Sequence, residues 1–159
     1  MDENLIFTER LLLRPYTEAD CELMIWILRN GEISKTFMLP EFEDDATAER
    51  LFRKILIYSH QEDHFERAIC LEDRLIGFLN DVEIEDGTVE LGYVIPPDYQ
   101  NRGYATEALK LLKRLATNMG LVYLMATVDK ENIASQKMTE KCLDEIGRAD
   151  SKVKYRSKL

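Results

Sequence analysis

The sequence predicts an α/β (α+β) fold in one domain, residues 1–159. Three observations carry that expectation. Apolar residues recur at helical spacing in the first sixty residues and again near 105–119, but alternate strand-like in the middle. Asp86-Gly87 joins two of the strand-like runs, and both residue types tolerate the positive φ of a tight hairpin. A strongly amphipathic helical stretch then lies directly between two strand patterns. With 159 residues the chain suits one sizeable core, and no repeat, low-complexity tract or linker marks a boundary.

Each element follows in order. Leu11-Leu12-Leu13-Arg14-Pro15 reads as a strand stopped by proline. Thr17-Glu18-Ala19-Asp20 has the spacing of a capping box, so a helix should run through Leu23, Trp26 and Ile27 to Asn30-Gly31. A second helix should start after the acidic stretch 41–45 and carry Ala48, Leu51, Phe52 and Ile55 on one face. Ala68–Leu71 and Leu75–Leu79 read as strands around a turn at Glu72-Asp73-Arg74. The strand after Asp86-Gly87 places Val89, Leu91, Tyr93 and Ile95 on one face and Glu90, Gly92 and Val94 on the other, provided no bulge intervenes. Pro96-Pro97 ends it. The next helix should carry Ala105, Ala108, Leu109, Leu112, Leu115, Ala116 and Met119, with Gly120 suited to its C-terminal cap. Leu121–Val128 reads as a buried strand, and Asn132 as the cap of a short helix with Ser135 and Met138. The tail from Lys152 to Lys158 alternates like an edge strand; its basic row reads as edge protection, with a phosphate-binding patch as the alternative.

Composition excludes several functions. A formal net charge of −9 opposes nucleic-acid binding, which relies on cationic side chains. No apolar run approaches the roughly 18–20 residues of a membrane span. The start, Met1-Asp2-Glu3-Asn4, lacks the basic and apolar parts of a leader, which makes the cytoplasm the default expectation. Cys21, Cys70 and Cys142 are too few and scattered for a disulfide framework or a zinc site. His60 and His64 are spaced i, i+4, but Gln61 stands where a His-Glu-x-x-His motif needs Glu, and no metal is expected. The acidic stretch 41–45 reads either as helix N-terminal charge or as an attractor for a cationic acceptor.

Chemistry points to residues 90–141. A strand ending at Ile95 leads through Gln100-Asn101-Arg102-Gly103-Tyr104-Ala105 straight into a helix. Unpaired N–H groups and the positive dipole end make such a helix start an anion site. Gly103 lets a phosphate approach the backbone closely, and Arg102 adds charge. The loop has too few glycines for a Walker loop or a dinucleotide fingerprint.

Here the chain resembles the GNAT acetyltransferases, whose Gln/Arg-x-x-Gly-x-Gly/Ala hallmark is matched by Gln100, Gly103 and Ala105. Asn132-Ile133-Ala134-Ser135 opens a helix in the matching place. Thr8-Glu9-Arg10-Leu11-Leu12-Leu13-Arg14-Pro15 and Gly92-Tyr93-Val94-Ile95, leading to Gly103-Tyr104-Ala105-Thr106-Glu107-Ala108, are similar to the RimJ/RimL branch. The resemblance spans nearly the whole chain and is least diagnostic at 31–65. It implies a central mixed, mostly antiparallel twisted sheet flanked by helices, with acetyl-CoA in a cleft between two splayed strands.

The resemblance also implies roles. Tyr93, Val94 and Ile95 would hold the pantetheine arm as β-augmentation does. Gln100, Asn101, Arg102, Gly103, Tyr104, Ala105 and Thr106 would hold the pyrophosphate, with Asn132 and Ser135 at the thiol end. Asn132 and Ser135 read equally as helix caps, and Tyr93 and Tyr104 as packing residues. Acetyl transfer to an amine needs a base, for which Glu90 is the candidate, and help for the departing thiolate, for which Ser135 is the candidate. Glu90 reads otherwise as a solvated hairpin carboxylate. Many relatives place a tyrosine acid on the last helix; Met138-Thr139-Glu140-Lys141 has none. The usual Gly-Phe after Glu-Lys is also missing, with Leu143 in place of Phe. A short substrate-side wall completed by a second copy in a homodimer is a further expectation. The acceptor would be a peptide N-terminus, a polyamine, an aminoglycoside or another small amine. A non-catalytic acyl-CoA sensor is the competing class.

Overall fold

The computed structural model describes residues 5–159, and its centre is built on two tight hairpins. The acidic start at residues 1–4, read above for leader features, lies outside the described residues. Arg67–Leu71 (β3) and Arg74–Glu85 (β4) turn through Glu72 and Asp73, at φ 48° and 65°. β4 and Thr88–Val94 (β5) turn through Asp86 and Gly87, at φ 50° and 72°. Both central residues of each turn are left-handed, the geometry that matches strand twist.

Before the hairpins, Ile6–Phe7 (β1) and Leu12–Arg14 (β2) precede Pro15. The Thr17 amide donates to Asp20 Oδ2 at 2.8 Å, as the capping spacing predicts, and a 3₁₀ turn leads into Cys21–Arg29 (α1). Trp26 lies on the exposed side of α1; Met24, Ile27 and Leu28 are its buried residues. Asn30 ends α1 and caps a helix the sequence reading lacks, Gly31–Phe37 (α2), by accepting from the Ile33 amide at 3.2 Å. Asp44 caps Asp45–Tyr58 (α3) through the Thr47 amide at 2.8 Å.

After β5 come Tyr104–Asn118 (α4), Tyr123–Asp129 (β6), Ile133–Glu140 (α5), Asp144–Ala149 (β7) and Lys152–Lys158 (β8). Gly120, at φ 79°, follows α4 as predicted, while Met119 falls outside the apolar stripe and is exposed. β6 is half-buried rather than fully buried: Leu124, Ala126 and Val128 face the core, and the residues between them face the other way.

The sheet order is β1-β2-β3-β4-β5-β6-β8-β7, antiparallel except for the parallel pair β5/β6. The tail is therefore not an edge strand. β8 lies between β6 and β7, with Val153 and Tyr155 buried; its basic side chains are the outward half of an interior strand's alternation. β7, all six residues exposed, is the edge.

Helices cover both faces. α4 packs Ala108, Leu109, Leu112 and Ala116 with Leu79, Val89, Leu91 and Ile95. The opposite face carries Met24, Ile27, Ile33, Phe52 and Ile55 against Ala68, Phe78 and Val94. The two faces of β5 alternate as predicted. The nearby bulge falls on β4, between Asp81 and Glu83, and leaves the β5 alternation intact. Gly77 is required where it stands, because a Cβ there would collide with the Val94 carbonyl oxygen. Leu143 is buried in the core despite the missing Gly-Phe.

Candidate functional site

β5 and β6 pair at three positions only: Thr88 with Tyr123, Val89 with Leu124, Glu90 with Met125. Beyond Glu90, β5 continues to Val94 on β4, while β6 continues to Asp129 on β8. The strands fork, and their facing edges border a cleft. A cavity of about 370 Å³ opens there. It brings together Tyr93, Ile95, Gln100, Asn101, Gly103, Tyr104, Ala105, Thr106, Asn132 and Ser135 from the residues singled out by the sequence.

The α4 end of the cavity is a helix start. Gly103, at φ 82°, is the residue before α4, and Asn101 is left-handed at 60°. The first amides of α4 have no intrahelical acceptor and present a partial positive charge. Gln100 faces inward to its own strand: its Nε2 donates to the Ile95 carbonyl at 2.8 Å and so fixes the loop to the end of β5. The loop is clamped from outside by Arg10. Its Nη1 donates to the Arg102 carbonyl at 2.9 Å, its Nε donates to Glu107 Oε2 at 2.8 Å, and its guanidinium lies 4.7 Å from the Tyr104 ring centre. A Cβ on Gly103 would stand 3.2 Å from Arg10 Nη2.

The α5 end is held by Asn132. Its Oδ1 accepts from the Ser135 amide at 3.1 Å, and its Nδ2 donates to the Thr36 carbonyl of α2 at 3.1 Å. The Ser135 hydroxyl is buried and hydrogen-bonded to the Tyr93 hydroxyl. Burial pushes the Tyr93 phenol above its ordinary range, and the neighbouring Ser135 and Thr139 hydroxyls pull the other way. Phe37 meets the Tyr93 ring edge-on, 6.0 Å between centres.

Three singled-out residues do not line the cavity. Val94 points its side chain into the opposite core. Arg102 is exposed, and its carbonyl accepts from Arg10 on the outside of the loop. Glu90 sits at the fork itself, on the α2 side of the sheet, accepting from Thr127 Oγ1 at 2.7 Å. Phe37, Tyr99, Ala134, Lys137, Met138 and Lys141 line the cavity without having been assigned to it. The spacing of Ala134, Lys137 and Met138 on α5, with Lys141 one residue past its end, could have flagged them; nothing local marks Phe37. His60 and His64 diverge: His60 Nε2 contacts the Tyr16 carbonyl at 3.0 Å, and His64 stacks on Tyr58 beside Asp81. Among the described residues no three His, Cys, Asp or Glu side chains gather to hold a metal ion.

The family model of the acetyltransferase (GNAT) domain matches residues 10–142. The chain belongs to the GNAT acetyltransferases. It is 31% identical to the uncharacterized N-acetyltransferase YnaD of Bacillus subtilis, over 86% of this chain and 79% of that protein. A GNAT-family acetyltransferase structure from Bacillus anthracis superposes with a TM-score of 0.78 at 24% identity, covering 98% of this chain and 97% of the other. RimL, a ribosomal L7/L12 α-N-protein acetyltransferase solved with coenzyme A, superposes with a TM-score of 0.79 at 14% identity, covering 98% of both chains. Those two likenesses are likenesses of fold. Membership makes this GNAT protein an acetyl-CoA-dependent N-acetyltransferase. No helix among the described residues is long and apolar enough to cross a membrane.

Proposed function

We propose that this GNAT protein, acting as one cytoplasmic domain, moves the acetyl group of acetyl-CoA to a primary amine by direct attack on the thioester at the β5/β6 fork. The observation that carries this reading is the parallel ladder that stops after three pairs. It leaves a β5 edge beside a cavity whose far end is the start of α4. An extended pantetheine arm can hydrogen-bond to such an edge as an added strand. The α4 amides and Gly103 suit the pyrophosphate, and Ser135 stands where the thiol would end. Glu90 and Thr127 look onto the fork from the other face, so an amine arriving from the α2 side would meet Glu90 as its base. The acceptor class is a protein N-terminus or a small amine such as a polyamine or aminoglycoside. RimL's activity on a ribosomal protein N-terminus makes peptide N-termini the first to try.

Calorimetry with acetyl-CoA tests the site. Gly103→Val adds a branched side chain at a left-handed position against Arg10. It should weaken binding at least about tenfold, or about 1.4 kcal/mol. Undiminished affinity in a folded variant would sink the assignment. An acceptor screen reading released CoA thiol across peptides and small amines then identifies the acceptor.

A further inference from the structure

We propose that the hydroxyls of Tyr93 and Ser135 form one proton relay that protonates the departing thiol sulfur. The inference rests on the reading that the thioester lies in the β5/β6 fork. Tyr93 comes from β5 and Ser135 from α5, 42 residues apart, yet their hydroxyls share a hydrogen bond and both residues line the cavity. Each is held from a second direction. The Phe37 ring packs edge-on against Tyr93, and Asn132 takes the Ser135 amide. Both hydroxyls can donate and accept. The phenol is the more acidic, so it donates and the serine oxygen accepts. Among the described residues the Ser135 hydroxyl has no other hydrogen-bond partner. Its own proton is therefore free to point into the cavity.

The transfer balances. The amine nitrogen forms a bond to the acetyl carbon, the carbon–sulfur bond breaks, and the electron pair stays on sulfur. Sulfur takes the Ser135 proton as Ser135 takes the Tyr93 proton. The phenolate recovers a proton from water through the cavity mouth, and the amine's surplus proton leaves to water by way of the base. Burial favours the protonated phenol, which keeps the relay charged with its proton at neutral pH. The other titratable groups around the cavity are Lys137 of α5, Tyr99 and Tyr104, with Lys141 and Cys142 just beyond α5.

A relay that donates to sulfur also stabilises the thiolate of bound CoA. The ultraviolet absorbance of the thiolate reports this without any acceptor. The wild type should lower the thiol pKa of bound CoA by about one unit relative to CoA in solution. Tyr93→Phe, which keeps the ring, and Ser135→Ala should each remove most of that shift. The double variant should remove no more than the worse single one, because the two act as a unit. The lysines are present in all four proteins, so their effect cancels in the comparison. A CoA analogue lacking sulfur should bind all four alike by calorimetry. An unchanged thiol pKa in both single variants, with CoA still bound, overturns the relay and leaves the cofactor site standing. Failure of the wild type to bind either CoA or the analogue removes the relay together with the reading beneath it. Once an acceptor is in hand, Tyr93→Phe should lower kcat about 100-fold with the acetyl-CoA KM unchanged; independent, additive losses in the double variant would also overturn the relay.

Discussion

Glu66 immediately precedes β3, with its side chain buried and its Oε2 without a hydrogen-bond partner among the described residues. Burial, with the Asp81 charge adding to it and Arg67 opposing, raises its pKa from 4.5 to about 8. The sign follows from proton linkage. Below pH 4.5 the carboxyl is protonated in both states and its contribution is fully present. Between 4.5 and 8 the unfolded chain releases the proton while the folded one keeps it, so stability falls as pH rises through that window. Glu66→Gln keeps the shape and removes the ionisation. It should stabilise the protein at pH 8 by on the order of a few kcal/mol more than at pH 4.5. Denaturant melts at the two pH values check it; an unaltered pH slope would refute the buried-carboxyl account. Glu90 makes a contrasting case. Its exchange with Gln preserves the Thr127 contact and tests the proposed base: the rate should fall about 100-fold with acetyl-CoA affinity unchanged. An identical pH–rate profile in the variant would take Glu90 out of the reaction.

At the scale of elements, Asn132 connects cap to cleft. It closes the first turn of α5 and reaches α2 at Thr36. Asn132→Ala should cost about 1 kcal/mol from the lost cap, read in a thermal or urea melt. It should also loosen acetyl-CoA binding, because Ser135 is placed by that cap. A variant as stable as the wild type would show that the cap contributes nothing. Caps and turns of this kind were legible in the sequence because each is set by two or three adjacent residues: Thr17 with Asp20, Asp86 with Gly87, Asn132 with Ser135. Two elements, α2 and β7, and the placement of β8 were not legible, for physical reasons. α2 is only seven residues long and starts at the residue that ends α1, so the two read as a single helix and its aftermath. β7 buries none of its residues, so it has no alternation to detect. β8 does alternate, but alternation reports a strand's buried face and not whether a neighbour lies along its far edge; its basic row therefore read as edge protection.

At the scale of the whole molecule, the cleft exists because β6 changes partner. It leaves β5 after three pairs and keeps β8 for seven. That divergence follows from pairings between distant strands, and only the family resemblance foresaw it. The same is true of the ties that shape the cavity. Arg10 reaches Glu107 across 97 residues, and Asn132 reaches Thr36 across 96. If acetyl-CoA lies in the fork as proposed, it bridges β5, α4 and α5 in the native state alone, and binding should be felt throughout the fold. Acetyl-CoA at one hundred times its Kd should add about 2.7 kcal/mol to stability. For a chain of this size that corresponds to a rise in Tm of about 5–10 °C. The rise should grow with the logarithm of ligand concentration, and Gly103→Val should blunt it at every concentration without lowering the ligand-free Tm by the same amount. A ligand-independent Tm in a protein that calorimetry shows to be bound would mean that the unfolded chain binds acetyl-CoA equally well, which an assembled cleft does not allow.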